Sequence, residues 1–248
     1  MKKLYLIGNM KMNMSLSELE PYFEKLTQIA STSTNVVGVC VPSVYLNFAK
    51  YALEGSKVLF GAENMHYEDC GAFTGEISAD MLNDFNTDLV IIGHSERRLY
   101  FKETDQDINL KVKKALQKGI TPIVCFGETL EERNSNMAYS VVEKQLVGAL
   151  ADLNSEEVQR IIFAYEPVWA IGTGVSATSV QAEEMIAFAK RIISEQFEVN
   201  NSIVLYGGSL KASNADEILS EKSIDGGLIG GACLKISEFE QIINTKVE

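Results

Sequence analysis

The stretch Asp105 to Phe126, DQDINLKVKKALQKGITPIVCF, holds one complete helix-to-strand unit. Asp105 to Gln117 reads as an amphipathic helix, Gly119 suits a left-handed C-cap, and Thr121 to Phe126 is a short, continuously apolar run. A strand covered on both faces has this character, because neither side meets water. Working outward, the same alternation recurs along the chain. The other strand candidates are Leu4 to Gly8, Val36 to Val41, Val58 to Ala62, Leu89 to Gly93, Arg160 to Tyr165, Ile203 to Tyr206 and Gly227 to Gly230. Helical patterns fall between and after them at Leu16 to Ala30, Val44 to Leu53, Ala79 to Asn83, Met137 to Leu150, Ser179 to Phe197, Asn214 to Leu219 and Ser237 to Ile243. Ser15 with Glu18, and Thr178 with Gln181, have capping-box spacing, and Gly55 is a further C-cap candidate. Eight strand-helix units without a composition break predict one α/β domain over residues 1–248, a closed parallel (β/α)8 TIM barrel. A doubly wound open sheet is the structural alternative.

The composition of the 248 residues agrees with this: 46% hydrophobic and 23% charged residues supply a large core and a polar surface, which excludes a disordered chain. The formal net charge of -12 offers no basic footprint for nucleic acid or anionic lipid. Behind Lys2 and Lys3 the apolar run Leu4 to Ile7 stops at Gly8, too short for a signal-peptide core, and no apolar stretch reaches membrane-span length. A soluble, cytoplasmic protein is expected. Cys40, Cys70, Cys125 and Cys233 form no C-x-x-C pair and have no histidine at ligand spacing, so buried thiols are expected and no metal.

In either parallel architecture the strand-to-helix loops open on one side, and polar residues that end strands are the candidates for chemistry. They are Asn9 and Lys11, His94 with Ser95 and Glu96, Glu128, Glu166, Gly207 to Ser209, and Gly230 with Gly231. Two glycine pairs on the last two strand ends let backbone amides approach an anion, and Lys11 is its natural cation. A helical turn beginning at Ser95 would depress the His94 pKa and leave a neutral hydrogen-bond donor. Pro167 restricts the backbone of Glu166 and so fixes where its carboxylate projects. The apolar Val168 to Ile171, closed by Gly172 to Gly174, reads as a lid. The plainer readings are a structural histidine, a strand-end ion pair and a solvated lysine.

Together the segments GNMKMN (Gly8 to Asn13), GAFTGE (Gly71 to Glu76), IIGHSERR (Ile91 to Arg98), CFGETLEER (Cys125 to Arg133), AYEPVWAIGTG (Ala164 to Gly174), YGGSL (Tyr206 to Leu210) and DGGLIGGACLK (Asp225 to Lys235) resemble the triosephosphate isomerase family, in order and over nearly the whole chain. The resemblance implies interconversion of dihydroxyacetone phosphate and D-glyceraldehyde 3-phosphate through an enediolate, in glycolysis and gluconeogenesis, without a cofactor. Acid-base tuning in this family is a standard worked case. By the same resemblance Glu166 is the base and His94 the neutral electrophile. Lys11 and Asn9 stabilise developing charge, Glu96 lies near the lysine, and Ser95 positions the resting base. The amides of Gly172, Ser209, Gly230 and Gly231 hold phosphate. Phe73, Thr74, Gly75 and Glu76 belong to a loop that crosses a homodimer interface, with Thr74 beside the neighbour's Asn9 and Lys11.

Three positions depart from the family pattern: Met10 where tryptophan is frequent, Val175 to Ala177 at the trailing hinge of the lid, and Glu63 where glutamine is usual. Burial of the Glu63 carboxylate should raise its pKa unless a cation compensates. A Schiff-base aldolase using Lys11 and a non-catalytic barrel are the rival readings. The presence of Asn9, Lys11, His94 and Glu166 together weighs against the second.

Overall fold

Apolar runs long enough to face two ways become strands with alternate residues on opposite sides of one sheet. The computed structural model describes residues 2–170 and 177–247. Its strands are β1 (Tyr5–Asn9), β2 (Val36–Val41), β3 (Leu59–Ala62), β4 (Leu89–Ile92), β5 (Thr121–Phe126), β6 (Ile162–Tyr165), β7 (Ile203–Tyr206) and β8 (Gly226–Ile229). They pair in chain order, all parallel, and β1 pairs with β8 through Tyr5 with Gly226 and Ile7 with Leu228. That pairing closes the barrel and removes the open-sheet alternative.

Two apolar layers follow from the strand period of two. Ile7, Cys40, Leu89, Ile91, Ile123, Cys125, Ile162, Ala164, Leu205 and Leu228 pack with one another as the barrel filling. Their strand neighbours Leu6, Val39, Val90, Val124, Phe163 and Val204 belong to the separate layer shared with the helices. Each such aliphatic side chain, fully buried, contributes roughly 1.5–3 kcal/mol. A polar substitution on either face of a strand would therefore be costly, and chemistry is confined to the strand ends.

The helices are α1 (Leu16–Thr32), α2 (Leu46–Ala52), α3 (Ala79–Asn83), α4 (Ser95–Tyr100), α5 (Asp105–Gln117), α6 (Leu130–Asn134), α7 (Ala138–Ala149), α8 (Ser155–Val158), α9 (Ser179–Phe197), α10 (Ala215–Leu219) and α11 (Ile236–Ile243). The expected capping boxes form: Ser15 N–H donates to Glu18 Oε2 at 2.7 Å, and Thr178 N–H to Gln181 Oε1 at 3.0 Å. Gly55 and Gly119 take positive φ, +73° and +80°, as the C-caps require. The short α4, α6 and α8 are additions to the sequence pattern. Those at Leu130 and Ser155 carry the capping boxes Thr129–Glu132 and Asn154–Glu157, a signal that five- and four-residue helices give without any apolar period. A 3-10 turn over Ser43–Tyr45 takes the first residues expected of α2.

All four cysteines are free, and three are buried. Cys70 is the correction: it lies in a projecting segment whose residues, from Glu68 to Glu76, are exposed. Among the described residues no helix is long and apolar enough to cross a membrane.

Candidate active site

Gly93, just after β4, adopts φ +72°, and a side chain there would meet Ile108 Cδ1 at 2.6 Å. The left-handed turn puts His94 at the N-cap of α4, where the first amides of a helix have no partner within it. Both nearby amides are used. Glu96 N–H donates to His94 Nδ1 at 3.2 Å, and Ser95 N–H donates to Glu166 Oε2 at 2.8 Å. His94 Nε2 lies 2.8 Å from Glu166 Oε1. A nitrogen that accepts a hydrogen bond carries no proton, so Nδ1 is bare and the imidazole proton sits on Nε2, aimed at the carboxylate.

The charges are tightly coupled. Burial lowers the His94 pKa, but the facing Glu166 carboxylate more than offsets it and raises the group above its ordinary value. This departs from the expectation of a depressed pKa: a full negative charge in contact with Nε2 favours the imidazolium. For Glu166, burial pushes the pKa up, while His94, the Ser95 amide and Lys11 together hold it below the usual carboxylate value. The Ser95 contribution comes from its main chain.

Two glycines fix Glu166. Glu166 N–H donates to Phe126 C=O at 2.7 Å. A Cβ on Gly127 would fall 1.8 Å from the Glu166 carbonyl oxygen, and one on Gly207 would fall 2.9 Å from its Cγ. The residue is thus gripped between the ends of β5 and β7, and its side chain is 2% exposed.

Lys11 follows β1 with φ +53°, a left-handed conformation unusual for a side-chain-bearing residue. Its N–H donates to Asn9 Oδ1 at 3.1 Å, and its Nζ contacts Glu96 Oε1 at 2.5 Å. The stem passes Gly230, where a Cβ would lie 3.4 Å from Lys11 Cε. Met10 behind it is fully buried.

These groups share one cavity of about 610 Å3, lined by Asn9, Lys11, His94, Ser95, Glu96 and Glu166 on one side and by Gly207, Gly208, Ser209, Gly230 and Gly231 on the other. The second half is rich in glycine, and Lys211, Lys235 and Glu238 line it as well. Lys211 comes three positions after Gly208 and Lys235 four after Gly231, a loose spacing that is the sequence signal marking them. Gly172, with the rest of 171–176 including Val175 and Ser176, lies outside the described residues. Glu128 does not join this cavity. It is fully buried and its Oε1 accepts from Trp169 Nε1 at 2.8 Å, Arg133 Nη1 at 2.9 Å and Tyr165 OH at 3.1 Å. It therefore anchors the stem of the expected lid.

A second cavity, about 370 Å3, opens on the other side of Lys11 and is lined by Glu63, Glu96, Arg97, Gly75 and Glu76 among others. Burial, reinforced by Glu96 and only partly countered by the Lys11 backbone, pushes the Glu63 carboxyl up to about 8. Its Oε1 has no hydrogen-bond partner among the described residues. Phe73, Thr74, Gly75 and Glu76 are all exposed, and the Phe73 ring lies tilted against that of His66, centroids 4.3 Å apart. Among the described residues no group of His, Cys, Asp and Glu is arranged to hold a metal ion.

The family model for triosephosphate isomerase matches residues 4–246. A triosephosphate isomerase of Alkaliphilus oremlandii is 48% identical over 248 residues, covering 98% of this chain and 100% of the relative. Those of Alkaliphilus metalliredigens and Clostridium novyi are each 44% identical over 247 residues, covering 98% of this chain and 100% and 99% of the relatives.

Proposed function

The chain belongs to the triosephosphate isomerase family and interconverts dihydroxyacetone phosphate and D-glyceraldehyde 3-phosphate, and we propose that Glu166, His94 and Lys11 carry the chemistry. Glu166 removes a proton from C1 of the ketose and returns it at C2, so that the carbonyl and hydroxyl exchange places with no net loss of atoms. His94 donates Nε2–H to the carbonyl oxygen and passes protons between the two oxygens. Lys11 and Asn9 stabilise the negative charge of the enediolate, a role that preorganised donors fill without rearrangement. Glu96 holds the Lys11 ammonium, and the Ser95 amide parks the base between turnovers. The amides of Ser209, Gly230 and Gly231, with Gly172, take the phosphate.

One observation supports this division most: a desolvated carboxylate held at 2.8 Å by an Nε2–H imidazole, facing glycine amides across one cavity. A coupled assay with glyceraldehyde 3-phosphate tests it, with Glu166→Gln expected to lose turnover. A Schiff base at Lys11 would need a neutral amine where the ammonium now contacts Glu96, so borohydride trapping with substrate should leave no adduct.

The homodimer belongs to the same proposal. Phe73 to Glu76 of one copy would seat in the cavity beside Lys11 of the other, with Thr74 against Asn9 and Lys11 there. Met12 and Phe101, both exposed on the single chain and lining that cavity, would then be covered. A cytoplasmic location suits the exposed free thiol of Cys70.

A further inference from the structure

Among the side chains outside both cavities, Gln145 reaches the strand ends from the helix layer. Its Oε1 accepts from Gly127 N–H at 2.8 Å and its Nε2 donates to Gly127 C=O at 3.1 Å. Gly127 is buried beyond the end of β5, so both of its peptide groups take their partner from one side chain on α7 rather than from the strand ladder. A buried peptide group stripped of its partner is expensive, which makes this two-pronged bond a strong local constraint.

What Gly127 supports gives the contact its meaning. The preceding residue, Phe126, accepts the Glu166 N–H, and the following residue, Glu128, accepts the Val168 N–H at 3.1 Å through its carbonyl. Gly127 itself presses against the Glu166 carbonyl so closely that no side chain fits between them. Three consecutive residues thus form the platform for the base and for the start of the lid stem, and Gln145 bolts the middle one.

We propose that Gln145 is a positioning residue for the isomerisation: by clamping the Gly127 peptide it fixes the backbone of Glu166, and with it the path of the carboxylate. The proposal rests on Glu166 being the base. Of the proposed phosphate groups, Ser209, Gly230 and Gly231 follow β7 and β8, away from the Gly127 peptide, so the effect falls on turnover more than on anion binding.

Gln145→Met keeps the bulk and removes both hydrogen bonds. It should lower kcat by about 10- to 100-fold, the loss a shift of roughly 1 Å in a catalytic group produces, with KM and inhibition by inorganic phosphate within about two-fold of the parent. Gln145→Glu replaces the donor with a charged acceptor, but the protonated acid can again donate to one peptide group while accepting from the other. The ratio of its kcat to that of the parent should therefore rise as pH falls through the titration of the new carboxyl, a recovery that a merely structural role would not give. Unchanged kcat in a cooperatively melting Gln145→Met overturns the proposal, as does an equal loss of phosphate inhibition. If Gln145→Met fails to fold, a pH-independent ratio for Gln145→Glu overturns it instead. Glu166→Gln, assayed beside them, separates the two claims: turnover retained there removes Glu166 as the base, whereas turnover lost there but normal in Gln145→Met removes only the role of Gln145.

Discussion

His94 Nε2 and Glu166 Oε1 lie 2.8 Å apart with both side chains almost wholly out of water, at 7% and 2% exposure. Neither can change its charge without the other responding. The carboxylate raises the imidazole pKa, and the imidazole lowers that of the carboxylate. Under the proposed mechanism the pair is a resting arrangement: to meet a substrate carbon, Glu166 has to leave both His94 and the Ser95 amide.

Removing that carboxylate should reverse the sign of the His94 shift. In Glu166→Gln the burial and the Lys11 ammonium remain, both of which lower the imidazole pKa, against Glu96 alone. His94 should then titrate below its ordinary value. The chain has only two histidines, so an NMR titration resolves it readily. A His94 pKa that stays put in the variant would show that Glu166 is not what raises it.

Shortening the base tests reach rather than charge. Glu166→Asp withdraws the carboxylate by roughly 1 Å and should cost about 10²-fold in kcat, because the near-attack distance is lost, while substrate affinity changes much less. Near-normal turnover in steady-state kinetics would count against the assignment.

The interface loop offers a test by mass. Phe73 is 43% exposed on the single chain, and charged residues in place of Phe73 and Thr74 would have to be buried in the proposed seat. Sedimentation should show monomers, with activity falling in step. A fully active monomer would remove Thr74 from the partner's site.

Glu63→Gln tests the buried carboxyl. Its folded-state pKa of about 8 stands above an unfolded value near 4.3, so the folded state holds the proton more tightly. Folding stability is therefore lost as pH rises between the two values and stays lost above the upper one. The amide variant should match the parent near pH 4 and become more stable than it by an amount that grows towards pH 8, on the order of a few kcal/mol. Denaturation curves across this range decide it; a difference that does not grow with pH would mean that Glu63 is paired or solvated.

Much of the barrel was legible because parallel strands buried on two faces leave continuous apolar runs, and Val36–Val41, Thr121–Phe126 and Ile203–Tyr206 have the expected bounds. The short helices were harder to read, since α6 and α8 carry caps but too few turns for a period. At the site, residue types at strand ends pointed to Asn9, Lys11, His94 and Glu166, which do share one cavity. Glu128 lies at a strand end as they do but holds Trp169 instead, since a side chain's direction beyond a strand end depends on the turn that follows. Gln145 gave no signal at all. A glutamine within a helix is unremarkable until its partner, eighteen positions back, is seen to be one bare peptide.

Lys11 carries a consequence of another kind. Its φ of +53° costs a side-chain-bearing residue roughly 1–2 kcal/mol that glycine would not incur. Selection for thermal resistance alone would favour glycine there, against the lysine that the proposed chemistry needs. Heat tolerance and catalytic competence thus pull this one position in opposite directions.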